Sequence, residues 1–130
     1  CGPGSYTIAA AQIIGNTGKI YAADIHPLAI ESVKKRAEEK NLKNIETILT
    51  DCDTKLENAS IDIVLLLDIY HDLSNPEGIL KELHRVLKNS GLLYVDDHHF
   101  KDEEIINKIT DAKLFKFVER IEELFCFIKE

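Results

Sequence analysis

Gly2 and Gly4 in the opening CGPGS are the first residues whose types could serve chemistry. Glycines at that spacing let the backbone pass close to a bound group with no side chain in the way, as in a nucleotide-cradling loop. Asp24 follows 20 residues after Gly4. A carboxylate at that distance, on a strand tip, can accept hydrogen bonds from both hydroxyls of a ribose. Asp68, Ile69, Tyr70, His71 and Asp72 close a long apolar run. His71 is the best-placed general base among them, because an imidazole with a pKa of about 6.5 needs little tuning to exchange a proton near neutrality. Asp96, Asp97, His98 and His99 close a second run. Two acids beside two histidines raise the question of a metal. Neighbours along a strand point to opposite faces, so at most two of these four can share a side. A third ligand would have to come from Asp68 or His71. The expectation is no metal, with Asp97, His98 and His99 lining a pocket.

The surrounding pattern supplies elements to position these residues. SYTIAAAQIIG (5–15) reads as a helix stopped by Gly15. KIYAADI (19–25) reads as a buried strand ending in Asp24. Pro27 suits the first turn of the helix PLAIESVKKRAEEKNL, with Ala29, Val33 and Ala37 on one face. IETILTD (45–51) reads as a strand, and CDTKLENAS as loop. IDIVLLLD (61–68) is apolar throughout, as expected of a strand covered on both faces. SNPE (74–77) reads as a capping box, opening a helix with Ile79, Leu80, Leu83, Val86 and Leu87. Asn89 to Gly91 should stop it, before the strand GLLYVDD (91–97). A helix over 102–112 presents Ile105, Ile106 and Ile109. KLFKFVERI and ELFCFIKE read as two strands joined tightly at Glu122 and Glu123.

Alternation of strand and helix implies an α/β fold: a Rossmann-like, doubly wound, mostly parallel sheet. The closing strand pair, with its short connection, must be antiparallel. All 130 residues read as a single domain. A formal net charge of −7 speaks against a nucleic-acid or membrane-surface partner, which would show a basic footprint. Lys34, Lys35, Arg36, Lys40 and Lys43 sit among Glu31, Glu38 and Glu39, as on a solvated helix face. Cysteines 1, 52 and 126 form no CxxC pair and read as free thiols in a reducing, cytoplasmic setting. No apolar run has the roughly 18 residues that a membrane span needs.

With these motifs in this order, the chain resembles the class I S-adenosylmethionine-dependent methyltransferases of small-molecule type. CGPGS resembles the end of that family's first motif, AADIHP the second, LTDCD the third, IDIVLLLDIYHDL the fourth-strand segment, and LKELHRVLKNSGLLYV the helix and strand after it. The resemblance covers essentially the whole chain, and the antiparallel tail matches the family's last strand. It implies S-adenosylmethionine as cofactor. Cys1, Gly2 and Gly4 would then cradle its methionine half, Asp24 the ribose, and Ile25 and His26 the flank of the adenine. Asp51 would accept from the adenine amine with Cys52 beside it, and Asp53 is a rival for that role. Asp68 and Ile69 would face the methionine end, while His71, Asp97, His98 and His99 face the acceptor.

The family's first strand, with its acidic residue and first glycine, is not in the sequence. The expectation is that this strand comes from a longer polypeptide or a second chain, so that strands 19–25 and 61–68 do not pair directly. Gly91, in NSG, is expected to hold a left-handed position. The implied reaction is methyl transfer to a small-molecule acceptor; a homo-oligomer is left open. The alternative is a non-catalytic methyltransferase-fold binding or scaffolding subunit. A nicotinamide oxidoreductase is disfavoured, because the third glycine of its fingerprint would fall at Thr7.

Overall fold

The computed structural model describes residues 4–130. They fall into two compact units, within Cys1–Thr54 and Lys55–Glu130.

The first unit has a parallel pair of strands, β1 (Ile20–Asp24) and β2 (Ile45–Leu49), with helices α1 (Ser5–Ile14) and α2 (Pro27–Glu39). Gly15 stops α1 with φ 72° and ψ −163°, a positive-φ conformation open essentially to glycine alone. The buried stripe of α2 is Ile30, Val33 and Ala37. Ile30 therefore takes the place expected for Ala29, because the helix presents its larger apolar side chain to the core. Asn44 was not singled out by sequence, yet it is buried here. Its side-chain amide donates to the carbonyls of Ala11 and Gly15 at 3.0 and 2.7 Å, satisfying carbonyls at the end of α1.

The second unit holds a four-stranded sheet in the order β3 (Ile61–Leu67), β4 (Leu87–Asp96), β6 (Leu124–Lys129), β5 (Phe115–Ile121). β3 and β4 are parallel; β6 is antiparallel to both of its neighbours. Val64, Leu66, Leu93, Val95, Phe117, Phe125 and Phe127 pack with Leu80 of α3 (Pro76–Val86) and with Ile105 and Ile109 of α4 (Asp102–Thr110). Glu122, in the tight turn between β5 and β6, takes φ 55°.

Three local expectations are corrected. β3 is not covered on both faces: Ile63 and Leu65 are 55 % and 49 % exposed, while Leu66 on the other face is buried. The cap of α3 is Asn75 rather than Ser74, with its side chain accepting from the Gly78 N–H at 3.1 Å. Gly78 leaves that side chain room, since a Cβ there would lie 2.2 Å from its Nδ2. Finally, α3 runs straight into β4, and Asn89–Gly91 lie inside the strand. The β3–β4 register slips between Ile61↔Leu87 and Ile63↔Leu92, so the extra residues bulge. Gly91 is not left-handed: the glycines with positive φ among the described residues are Gly4 and Gly15. Gly91 is small for a different reason, as a Cβ would sit 2.6 Å from the Leu87 side chain and 3.0 Å from the Asp62 carbonyl.

β1 ladders with β2, and β3 with β4. No helix among them is long and apolar enough to cross a membrane.

The Asn75 cap carries a prediction. Asn75→Ala removes the acceptor for an orphan helix N–H and should lower stability by about 1 kcal/mol. Urea unfolding checks it, and an unchanged midpoint would show that the cap is replaced by water.

Candidate functional site

Each unit gathers its polar residues at the carboxyl ends of its parallel strands. In the first, register pairing sets Asp24 opposite Leu49, so the residues after both strands emerge side by side. The Thr50 N–H donates to the Asp24 carbonyl at 2.9 Å. The Asp24 carboxylate accepts from the His26 N–H at 2.9 Å, which fixes its direction at the entry to α2. Ile25 is exposed, as is His26. The loop after β2 is shaped by Thr50: its hydroxyl donates to the Asp53 carbonyl at 2.6 Å and accepts from the Cys52 N–H at 3.2 Å. Sequence reasoning passed over Thr50, although a hydroxyl followed by Asp-Cys-Asp is a turn signal. Asp51 and Asp53 are exposed, and Cys52 is half-buried.

Gly4 takes φ 93° at the start of α1. A Cβ at that position would lie 2.9 Å from Val33 Cγ2. Both facts restrict the position to glycine, by backbone conformation and by helix contact. Cys1 and Gly2 lie outside the described residues.

In the second unit, β3 and β4 end together, with Leu67 opposite Asp96. Asp68 follows in a left-handed conformation, φ 52°, unusual for a residue other than glycine and a form of strain that gathers at functional sites. The chain then makes a 3-10 turn, Tyr70–Asp72, that carries His71. Tyr70 is buried edge-on to Phe100 and holds that turn against the core.

Asp97 is the fixed point of this edge. Its side chain has no exposed surface. It accepts from the backbone N–H groups of His71 and His99, both at 2.9 Å. The His71 ring Nδ1 lies 3.1 and 3.0 Å from its two oxygens. Burial alone would push this carboxyl up; hydrogen bonds from the His99 N–H and from the ring and N–H of His71 outweigh it and hold the group below the usual carboxylate range. The Asp97 hydrogen bond in turn raises His71, against the opposing effect of burial. With the carboxylate accepting at Nδ1, neutral His71 carries its proton there and leaves Nε2 basic.

His99 stacks on His71, with ring centroids 3.6 Å apart. Its Nδ1 lies 3.3 Å from Asp97 and 3.6 Å from Asp68. Strand alternation persists past the end of β4: Asp97 and His99 face one way, while His98 lies 3.6 Å from Asp96 and 3.9 Å from Glu123. His98 is thus set apart from the His71 group that the sequence reading joined it to. Burial raises the Asp96 carboxyl despite the nearby His98. Ile69 is exposed beside the turn.

A pH prediction follows. In metal-free protein, the His71 ring should titrate above the 6.5 of a free imidazole, and Asp97→Asn should lower its midpoint. Side-chain NMR reads both, and a midpoint at or below 6.5 in the parent would contradict the pairing. The sign for stability is fixed as well. The His71 contribution is complete below about 6.5 and fades as pH rises through the raised value. The Asp97 contribution holds above 3.8 and fades as pH falls through the lowered one.

Comparison with known proteins points one way. A family model described as a methyltransferase domain matches residues 1–125. The ubiquinone/menaquinone biosynthesis C-methyltransferase UbiE of Blochmanniella pennsylvanica is 27 % identical over 122 residues, covering 92 % of this chain and 48 % of that protein. The (S)-coclaurine N-methyltransferase of Thalictrum flavum subsp. glaucum is 26 % identical over 96 residues, covering 74 % of this chain and 26 % of that one. The chain therefore spans about half or less of the length of these relatives. Among solved structures, a SAM-dependent methyltransferase from Aquifex aeolicus superposes with a TM-score of 0.84 at 23 % identity, covering 97 % of this chain and 74 % of the other.

Proposed function

Since the chain belongs to the class I S-adenosylmethionine-dependent methyltransferases, we propose that it moves the methyl group of S-adenosylmethionine to a small-molecule acceptor, with His71 as the general base. The observation that carries the catalytic part is the His71 ring held by Asp97, a carboxylate with no exposed surface. An exposed histidine with no fixed partner would serve poorly. This one is oriented at Nδ1 and presents Nε2.

The donor set of the first unit suits the cofactor. Asp24 offers a directed carboxylate for the ribose hydroxyls, and the Thr50-ordered loop brings Asp51, Cys52 and Asp53 to the same strand edge for the adenine. Ile25 and His26 are exposed beside them to pack against its face. Gly4 belongs to the loop before α1, and Asp68 and Ile69 are assigned to the methionine end. When bound, the cofactor supplies a methyl group activated on a sulfonium. The protein then needs mainly to align the acceptor and to accept a proton. His71 Nε2 takes that proton from an O–H or N–H acceptor. The imidazolium that forms keeps Nδ1–H on Asp97, whose charge stabilises it.

The overall negative charge supports a small molecule over nucleic acid as acceptor. Three cysteines with no CxxC pair support a reducing, cytoplasmic setting. The test is transfer of labelled methyl from S-adenosylmethionine across a panel of phenols, amines, quinols and carbon acids. Transfer to at least one is expected. Cofactor binding with no transfer to any would favour the non-catalytic binding subunit.

A further inference from the structure

Asp68, His71, Asp97 and His99 offer two ring nitrogens and two carboxylate oxygens that all lie within 4.8 Å of one another. His71 Nδ1 is 3.0 Å from Asp97, and His99 Nδ1 is 3.3 Å from Asp97 and 3.6 Å from Asp68. Around a tetrahedral ion with bonds of about 2.0–2.2 Å, neighbouring donor atoms sit about 3.3–3.6 Å apart. The two His99 separations exceed the range of about 2.7–3.2 Å for a good N–H···O hydrogen bond. They match the spacing of ligands better than that of bonded partners.

The groups behind these atoms fit the same reading. A metal-bound imidazole donates its other N–H to a carboxylate, and a ligating carboxylate is itself held by hydrogen bonds. His71 Nε2 lies 3.3 Å from an oxygen of Asp72. Asp97 is fixed by two backbone N–H groups. Strand alternation alone leaves β4 with two ligands, too few to hold an ion. The parallel β3–β4 register supplies the other two from the end of β3.

We propose that Asp68, His71, Asp97 and His99 form a binding site for a divalent transition-metal ion of the zinc class. Two imidazoles with two carboxylates suit zinc, cobalt or nickel, whereas magnesium and calcium prefer all-oxygen sets. The stacked rings are tilted by only 24°, so their in-plane lone pairs lie in nearly parallel planes rather than converging across the stack. Loading the site therefore turns His99, whose side chain is 58 % exposed and has room to move. On loading, the neutral His71 ring changes tautomer: its one proton moves from Nδ1 to Nε2, toward Asp72, and the Nδ1 lone pair so freed binds the ion. That tautomer is the opposite of the one a base requires. Where the reading of His71 as the base holds, metal loading and proton abstraction exclude each other, and this consequence alone rests on that reading.

The test uses the full chain, stripped with a chelator, with no cofactor or acceptor present. Zn²⁺ is titrated by calorimetry and Co²⁺ by its visible absorption. One equivalent should bind at micromolar concentration or tighter. His99→Ala and Asp68→Asn should each weaken uptake by about 10- to 100-fold or more. His98→Ala, in the neighbouring Asp96–His98–Glu123 group, should leave it unchanged. No saturable uptake below about 1 mM would overturn the site, as would equal uptake by the His99 and Asp68 variants, or loss only in His98→Ala. Metal uptake is read apart from methyl transfer, so failure of one does not imply failure of the other.

Discussion

Replacing His71 with alanine should lower kcat by about 10²- to 10⁴-fold, the usual cost of removing a general base, while leaving cofactor affinity within about twofold. The ring touches Asp97, Asp72 and His99, all at the edge assigned to the acceptor. Alanine also leaves the buried Asp97 carboxylate with the backbone N–H groups of residues 71 and 99 in place of its full set, so part of any loss could reflect folding. His71→Asn separates the two effects. Its amide can still donate to Asp97, but it has no basic nitrogen. The Asn variant should keep the parent melting temperature and share the loss of turnover. Once the panel has identified an acceptor, single-turnover rates with the methyl donor check this. An unchanged kcat with weakened cofactor binding would move His71 to the cofactor side.

Asp24→Ala should weaken S-adenosylmethionine binding by about 1.5–3 kcal/mol, the range for a hydrogen bond to a charged group. That corresponds to about 10- to 150-fold in affinity. The same substitution frees the His26 N–H at the entry to α2, so a melting curve must accompany the titration. Asp24→Asn retains an oxygen acceptor without the charge and should fall between parent and alanine. If Asp24→Ala bound as tightly as the parent, the ribose would not be held there, and the reading of AADIHP would be wrong.

The elements with clean periodicity were legible from sequence. Pro27 opens α2, Gly15 closes α1, and the adjacent strands 115–121 and 124–129 pair antiparallel, with β6 set between β4 and β5. The errors share a cause: local signals do not report what lies across the fold. Asn89-Ser90-Gly91 looks like a helix stop, yet it bulges within β4, because pairing with β3 extends the strand back to Leu87. Ile63 and Leu65 have the composition of a buried strand but are half-exposed.

The site follows the same division. Asp24, His71 and Asp97 were each legible as polar residues at or just past a strand end. The contact between His71 and Asp97 was not, because 26 residues separate them and only the parallel β3–β4 register closes that distance. Alternation limited the four residues 96–99 to two on a side, since a period of two is a property of the backbone itself, but it did not keep His98 from being grouped with Asp97 and His99, and the His98 ring lies instead beside Asp96 and Glu123. Thr50 was overlooked beside its acidic neighbours, although its hydroxyl makes the hydrogen bonds that order their loop.

The central claim is that the chain is a cofactor-using methyltransferase domain, and calorimetric titration with S-adenosylhomocysteine, the demethylated cofactor, tests it most directly. The measurement needs neither an acceptor nor turnover. Saturable one-to-one binding is expected, weakened in Asp24→Ala and retained in His71→Ala. No binding by well-folded parent protein, or binding that ignores Asp24 but is abolished with His71, would contradict it.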